Sequence, residues 1–272
     1  MGGSARFRTS RTKNINRFSK TLSDEEIKIR SAEIRASHKY TSDFSQKIRD
    51  AKTIDELMQA VYEKYGKSDD EFPYVVLRAR NMEMVKRVLV TLDELENEYP
   101  FAKGIIYNFG SASNDSLAGF TLSSGKLGLS IDWNDEDSPS LYSGKIRGDS
   151  IPNTTPESII AHEFGHAIQA RIFQKLHPDL FTNGKYSPPN NEIGNKMILE
   201  YRNGKFMMEV EKKVLKKLNI GFYEAHSRIS NYARDEGVME AFSEAFSDVY
   251  ANGENASAVS KAYVQALLEA AR

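Results

Sequence analysis

Five consecutive residues have the types and the spacing of a catalytic metal site. They are His162-Glu163-Phe164-Gly165-His166, an H-E-x-x-H pattern. In a helix, a spacing of four places both imidazoles on one face, one turn apart, so that both can reach the same metal ion. Glu163 lies one step round the helix, where a carboxylate can hold a metal-activated water and accept its proton. The pattern predicts that His162 and His166 bind zinc and that Glu163 is the general base.

A catalytic zinc ion needs a third protein ligand. The chain has no cysteine, so this ligand must be His, Asp or Glu. His177 is one candidate, about a helix length beyond the motif. Glu240 and Glu244 are better candidates, because they lie four residues apart in an apolar segment with helical spacing, where carboxylates require a partner. Asp248 in the same segment is a weaker alternative.

The H-E-F-G-H segment, Tyr232 and the later segment Glu240-Ala-Phe-Ser-Glu244-Ala-Phe together resemble the catalytic domain of anthrax lethal factor and its relatives, which are gluzincin metallopeptidases. The resemblance covers roughly residues 159–250. It implies one Zn²⁺ per chain, with Glu163 as the general base. It implies three zinc ligands: His162, His166 and Glu240.

The same resemblance implies roles for two further residues. Glu244 is expected to steady a ligand histidine from outside the coordination sphere, and Tyr232 is expected to donate to the oxyanion of the tetrahedral intermediate. The stretch from Tyr232 to Glu240 is one residue longer than the family pattern. Tyr223 and His226 are therefore alternative oxyanion donors.

Helices and a small sheet must position these residues. Thr154 or Thr155 can cap the motif helix, Pro156 suits its first position, and the helix should end near Leu176 because Pro178 follows. Gly165 costs about 1 kcal/mol in a helix interior, which indicates that another backbone or a substrate approaches closely there. Other helices are predicted at Asp24–His38, Thr53–Gly66, Met82–Tyr99, Ile193–Tyr201, Lys205–Leu218, Val238–Tyr250 and Ala256–Ala271.

Three short apolar runs separated by Gly, Ser and Asn predict strands. They are Gly104–Phe109, Leu117–Leu122 and Leu127–Asp132. We expect hairpin connections, with a turn at Ser123-Ser124-Gly125. Leu127–Asp132 is the predicted edge strand, which would pair with an extended peptide substrate. Residues 68–73 and 177–191 are predicted to be turn-rich or loop segments.

The predicted fold class is α+β: a mostly helical, zincin-like domain with a small β-sheet beside the H-E-x-x-H helix, preceded by a helical N-terminal region. We divide the chain into a basic flexible tail (residues 1–23), a helical N-terminal region (24–100) and a metallopeptidase domain (101–272). The tail has six basic residues and no acidic one before Asp24, which favours contact with nucleic acid or anionic surfaces. The acidic run 132–137 lacks the ligand spacing of a known calcium loop and is interpreted as a solvated loop.

Composition limits the other possibilities. The formal net charge of −1 gives no overall attraction to nucleic acid or membranes. No apolar run reaches the roughly 18 residues of a membrane span, and no secretory signal is recognisable. We therefore expect a cytoplasmic, virion-associated or non-classically exported protein.

The sequence is compatible with two functions. The first is a zinc-dependent endopeptidase that cleaves a protein substrate. The second is a structural or interaction component of a larger assembly, such as a phage virion or an injected effector, that carries a peptidase-like zinc domain. The N-terminal half would then provide the contacts with that assembly.

Overall fold

The computed structural model describes residues 24–78, 82–112, 118–130 and 155–272. Helices dominate this part of the chain and a small sheet accompanies them, so the α+β class is confirmed. The basic tail and the acidic run 132–137 lie outside the described residues, and the expectations for both stay predictions. None of the helices in the described ranges combines the length and the apolar character that crossing a membrane requires.

The N-terminal part is helical. Its helices are α1 (Asp24–Ser37), α2 (Asp43–Asp50), α3 (Ile54–Tyr65), α4 (Phe72–Arg78) and α5 (Met82–Glu98). The predicted boundaries of α3 are confirmed by its caps. Thr53 and Glu56 form a capping box at its start, and Gly66 ends it with a φ of +82°, a conformation that glycine adopts without strain.

The small sheet contains β1 (Asn108–Ser111), β2 (Ala118–Thr121) and β3 (Lys126–Leu129). Strands β2 and β3 are antiparallel, and the predicted turn between them is confirmed. Gly125 is required in that turn, since its φ is +57° and an added Cβ would lie 2.1 Å from the ring of Tyr107.

Two predictions about the sheet were wrong. The strand order is β1-β3-β2, with β1 parallel to β3, so β1 and β2 do not form a hairpin. Strand β3 is paired on both sides and cannot be the edge that receives a peptide. The strand bounds are also displaced, since β1 begins four residues after the predicted start at Gly104 and β3 ends at Leu129. Short apolar runs therefore indicate roughly where strands form, but they do not indicate the partner of each strand.

The remainder of the chain is again mostly helical. It contains α6 (Pro156–Leu176), the short strands β4 (Phe181–Thr182) and β5 (Lys185–Tyr186), α7 (Asn191–Asn203), α8 (Lys205–Leu218), α9 (Phe222–Ile229), α10 (Asn231–Glu236), α11 (Val238–Asn252) and α12 (Ala258–Ala271). The predicted helices are all present, with ends displaced by a few residues at most. The four short helices α2, α4, α9 and α10 were missed, because six to eight residues show too little periodicity to be recognised.

Helix α6 lies at the centre of the core. It packs most extensively against α11 and also contacts α5, α12 and β2. One cluster of buried apolar side chains extends from Phe44 to Ala271 and includes residues on both sides of position 100. Because α6 is surrounded in this way, the H-E-x-x-H residues are held by elements from several parts of the chain.

A buried ion pair joins the start of α6 to α5. Arg87 donates from Nε to Glu157 Oε1 at 2.6 Å and from its terminal nitrogen to Oε2 at 2.9 Å. Both side chains are almost completely buried. A bidentate pair of this kind fixes direction as well as distance, so it orients the first turn of α6 against α5.

Candidate metal centre

The start of α6 is defined by its sequence. The Thr155 side chain accepts from the Ser158 backbone N–H, the Ser158 hydroxyl accepts from the Thr155 backbone N–H, and Pro156 occupies the first turn. The capping box satisfies donors that a helix start would otherwise leave unpaired. With this start, His162 and His166 lie on successive turns, and their ring centroids are 5.0 Å apart.

Gly165 allows α6 and α11 to approach closely. A Cβ added at Gly165 would lie 3.0 Å from Cα of Ser243. Next to this contact, Gln169 donates from Nε2 to Ser243 Oγ and to the Met239 carbonyl, each at 2.9 Å. The close approach of another backbone, expected from the glycine, is therefore confirmed, and a polar side chain fixes the register of the two helices.

Three side chains from α6 and α11 converge on one point. Oε2 of Glu240 lies 3.1 Å from Nε2 of His162 and 3.3 Å from Nε2 of His166. The group could hold a metal ion, since all three ligand atoms lie within 4.8 Å of one another.

The geometry of this group fits a metal better than hydrogen bonding. Oε2 of Glu240 is buried and makes no well-aligned hydrogen bond, although two ring nitrogens are close to it. Tetrahedral bonds of about 2.0–2.1 Å to N and O ligands would separate the ligand atoms by roughly 3.4 Å, close to the observed spacings. Burial by itself would raise the pKa of Glu240, but the neighbouring imidazoles lower it overall. The carboxylate is therefore in the ionised form that metal binding requires.

Glu244 of α11 supports His162 of α6. Its Oε1 lies 2.9 Å from Nδ1 of His162, and its side chain is almost completely buried. A carboxylate on Nδ1 fixes the ring orientation and leaves Nε2 free to bind a metal. This contact is the one that the family resemblance implies for Glu244.

Glu163 points from α6 towards the sheet. Its side chain is buried, and the backbone N–H of Phe120 in β2 lies near its carboxylate and acts to lower its pKa. Burial raises the pKa of the Glu163 carboxyl, although the two neighbouring imidazoles oppose this effect. A raised pKa makes the carboxylate a better proton acceptor.

Tyr232 lies near the histidine pair, in α10. Its ring centroid is 6.3 Å from that of His162. Burial raises the pKa of its phenol, and the nearby Glu240 carboxylate raises it further. The half-buried hydroxyl therefore carries its proton at neutral pH and can donate a hydrogen bond.

The alternative residues lie elsewhere. His177 lies at the end of α6, with Nε2 3.6 Å from Oε1 of Glu200. Asp248 accepts from the Ser257 backbone N–H at 3.1 Å and so caps the following segment. Tyr223 is exposed. His226 is buried, with Nε2 2.5 Å from Oε1 of Glu211. Neither of the two alternative ligands, His177 and Asp248, belongs to the metal-ligand group found among the described residues.

Two residues next to the metal-ligand group were not predicted from the sequence. Tyr201 of α7 donates from its hydroxyl to the His166 carbonyl at 3.0 Å, and Phe120 presents its backbone N–H to Glu163. The sequence carries no signal for either contact, because a tyrosine in an amphipathic helix and a backbone group in a strand have no characteristic spacing from the motif.

No protein-family model, curated protein or solved structure matches this chain.

Proposed function

We propose that the protein is a zinc-dependent endopeptidase that hydrolyses peptide bonds of a protein substrate. The observation that carries the proposal is the convergence of His162, His166 and Glu240 on one point, with Glu163 beside them in α6. A purely structural metal site would have no use for Glu163, whereas hydrolysis requires a base at this place. Two histidines and one glutamate also match the donor set of a catalytic zinc site with an open position.

When bound, a zinc ion supplies a water molecule of lowered pKa and polarises the scissile carbonyl. Glu163 accepts the proton of the attacking water and returns it to the leaving amine. Tyr232 donates a hydrogen bond from its hydroxyl to the oxyanion. Donors of this type lower the activation free energy by roughly 3 kcal/mol. Glu244 holds the His162 ring in the orientation that leaves Nε2 for the metal.

Strand β2 is the edge that aligns the substrate in this proposal. Its Phe120 N–H faces Glu163, and alternate residues of a strand direct their backbone groups to the same side. Ala118 therefore directs its N–H and C=O to that side as well. An extended peptide that pairs there would lie across the metal centre, with its scissile bond next to Glu163.

The test compares wild type with Glu163→Gln on a broad library of capped peptides. We expect about one zinc per chain in both proteins and cleavage by the wild type alone, because glutamine preserves the shape and removes the base. The matched control is Glu209→Gln, at an exposed position of α8, which should cleave like wild type. Bound zinc without cleavage of any library member would instead support the role in a larger assembly.

A further inference from the structure

A cavity opens beside the metal-ligand group, between the β2–β3 turn and α7. It has a volume of about 190 Å³, and His166 and Glu240 form part of its wall. Pockets that hold whole small molecules usually measure about 300–1,000 Å³. This cavity is smaller, so its size suits one side chain of a longer ligand.

About half of the cavity wall is apolar, and the other half is polar or charged. The side chains that provide the apolar surface are Phe120, Leu122, Ile198, Tyr201 and Met239. Leu122, Tyr201 and Met239 are buried, so the apolar surface lies deep in the cavity. Such walls favour a side chain with an aliphatic stem, because the stem leaves water when it enters.

Arg202 provides a charge at the mouth of the same cavity. It is exposed, and it has no ion-pair partner among the residues that the structure describes. Apart from His166, it is the only basic residue among the described residues that line the cavity. The long side chain can pack its stem on the wall while its guanidinium stays at the entrance. A guanidinium presents a planar set of donors that matches a carboxylate.

Glu240 also lines the cavity, where a divalent ion on the ligand group would offset its negative charge. Arg202 is the positive group on the side of the cavity that faces solvent. The cavity therefore combines an apolar part of its wall with one exposed guanidinium.

We propose that this cavity, which we name the Arg202 pocket, receives a glutamate side chain of the substrate next to the cleaved bond. The inference rests on the proposed function, because it takes the metal centre as the place of cleavage. The methylene groups of the glutamate pack on the apolar wall, and its carboxylate pairs with Arg202. Aspartate fits less well, because its shorter stem does not span the wall and the guanidinium together.

The experiment separates binding from cleavage. Four pools of capped, fluorescein-labelled octapeptides carry Glu, Gln, Leu or Lys at the fourth position, with non-acidic residues elsewhere. Their dissociation constants are measured by anisotropy on the zinc-loaded full chain with Glu163→Gln, which keeps the peptides whole. Cleavage of the same pools is measured on the wild type.

We expect the Glu pool to bind up to about fivefold more tightly than the Gln pool, which is the effect that a charge pair at an exposed site can have. Raising the salt concentration should reduce the difference. Adding Arg202→Gln should bring the two pools within twofold of each other, and Arg202→Glu should favour the Lys pool. The matched control is Lys196→Gln, an exposed cation of α7 that does not line the cavity, and it should keep the preference for Glu.

Equal binding of the Glu and Gln pools, binding of no pool, or a Glu preference that survives Arg202→Gln would each overturn the Arg202 pocket. Failure of the proposed function has a different signature. In that case the wild type cleaves no pool, even where the Glu pool binds in an Arg202-dependent way.

Discussion

Gly165 lies where α6 and α11 are in close contact, so a single added methyl group tests whether helix separation sets the geometry of the metal-ligand group. The Cβ of Gly165→Ala would lie 3.0 Å from Cα of Ser243, whereas ordinary van der Waals contact begins at 3.4 Å. The two helices must therefore separate by about 0.4 Å, the difference between these distances. Ser243 is flanked on α11 by Glu240 and Glu244, so the carboxylates move with it.

The expected effects on stability and on zinc binding differ. Alanine is favoured over glycine in a helix by about 1 kcal/mol, and overpacking a core costs about 1–3 kcal/mol. The free energy of unfolding of the metal-free protein should therefore fall by no more than about 2 kcal/mol. Zinc ligands tolerate displacements of about 0.2 Å. A shift of about 0.4 Å should weaken zinc binding at least tenfold, which corresponds to about 1.4 kcal/mol.

The assay combines urea unfolding of the metal-free protein with zinc titration against a chromogenic chelator. Gly194→Ala is the matched control. It is the same substitution in another helix, and its Cβ would meet Cγ of Pro188 at 2.8 Å, away from the metal ligands. This control should lower stability without changing zinc affinity. Zinc binding by Gly165→Ala within twofold of wild type would refute the view that helix spacing sets the site.

Three other tests, one of them with a control substitution, address separate parts of the structure. Glu244→Gln should weaken zinc binding about 10- to 100-fold in the chelator titration, because it removes the charged partner of a ligand histidine; unchanged affinity would contradict that role. Glu157→Gln should lower the free energy of unfolding by about 3 kcal/mol, because it leaves Arg87 buried with a neutral partner. The exposed Glu63→Gln should leave the Tm unchanged, and an equal loss in both variants would show that burial of the pair is irrelevant. Ala118→Pro should raise KM for peptides without loss of zinc, because it removes a backbone N–H from the free edge of β2; an unchanged KM would exclude pairing at that edge.

The family resemblance of the sequence implies all three members of the metal-ligand group. His162 and His166 could also be predicted from local geometry alone, because residues four apart on a helix always lie on the same face. Glu240 could be nominated because its segment is apolar and a lone carboxylate there is costly. The helix that carries the motif could also be predicted from the sequence, since its cap, its first-turn proline and its apolar face are local features.

The pairing partner of each strand could not be predicted from local sequence features. The run that begins at Leu127 has the composition of any buried strand. Only the assembled sheet shows that, among the strands that the structure describes, it is central and β2 is at the edge. Register and neighbour depend on contacts between distant segments, which the alternation of side chains along one strand does not encode.

The position of Arg202 was decided by tertiary structure for the same reason. In the sequence it is one cation in a charged helix. Only the packing of α7 against the β2–β3 turn places it at the mouth of a cavity that the metal ligands help to line. The sequence by itself thus determined which residues can bind and activate, because these depend on residue type and helical spacing. The residues that surround a bound substrate were decided by long-range packing. The free energy of that packing is distributed over many weak contacts, so no short sequence pattern predicts it.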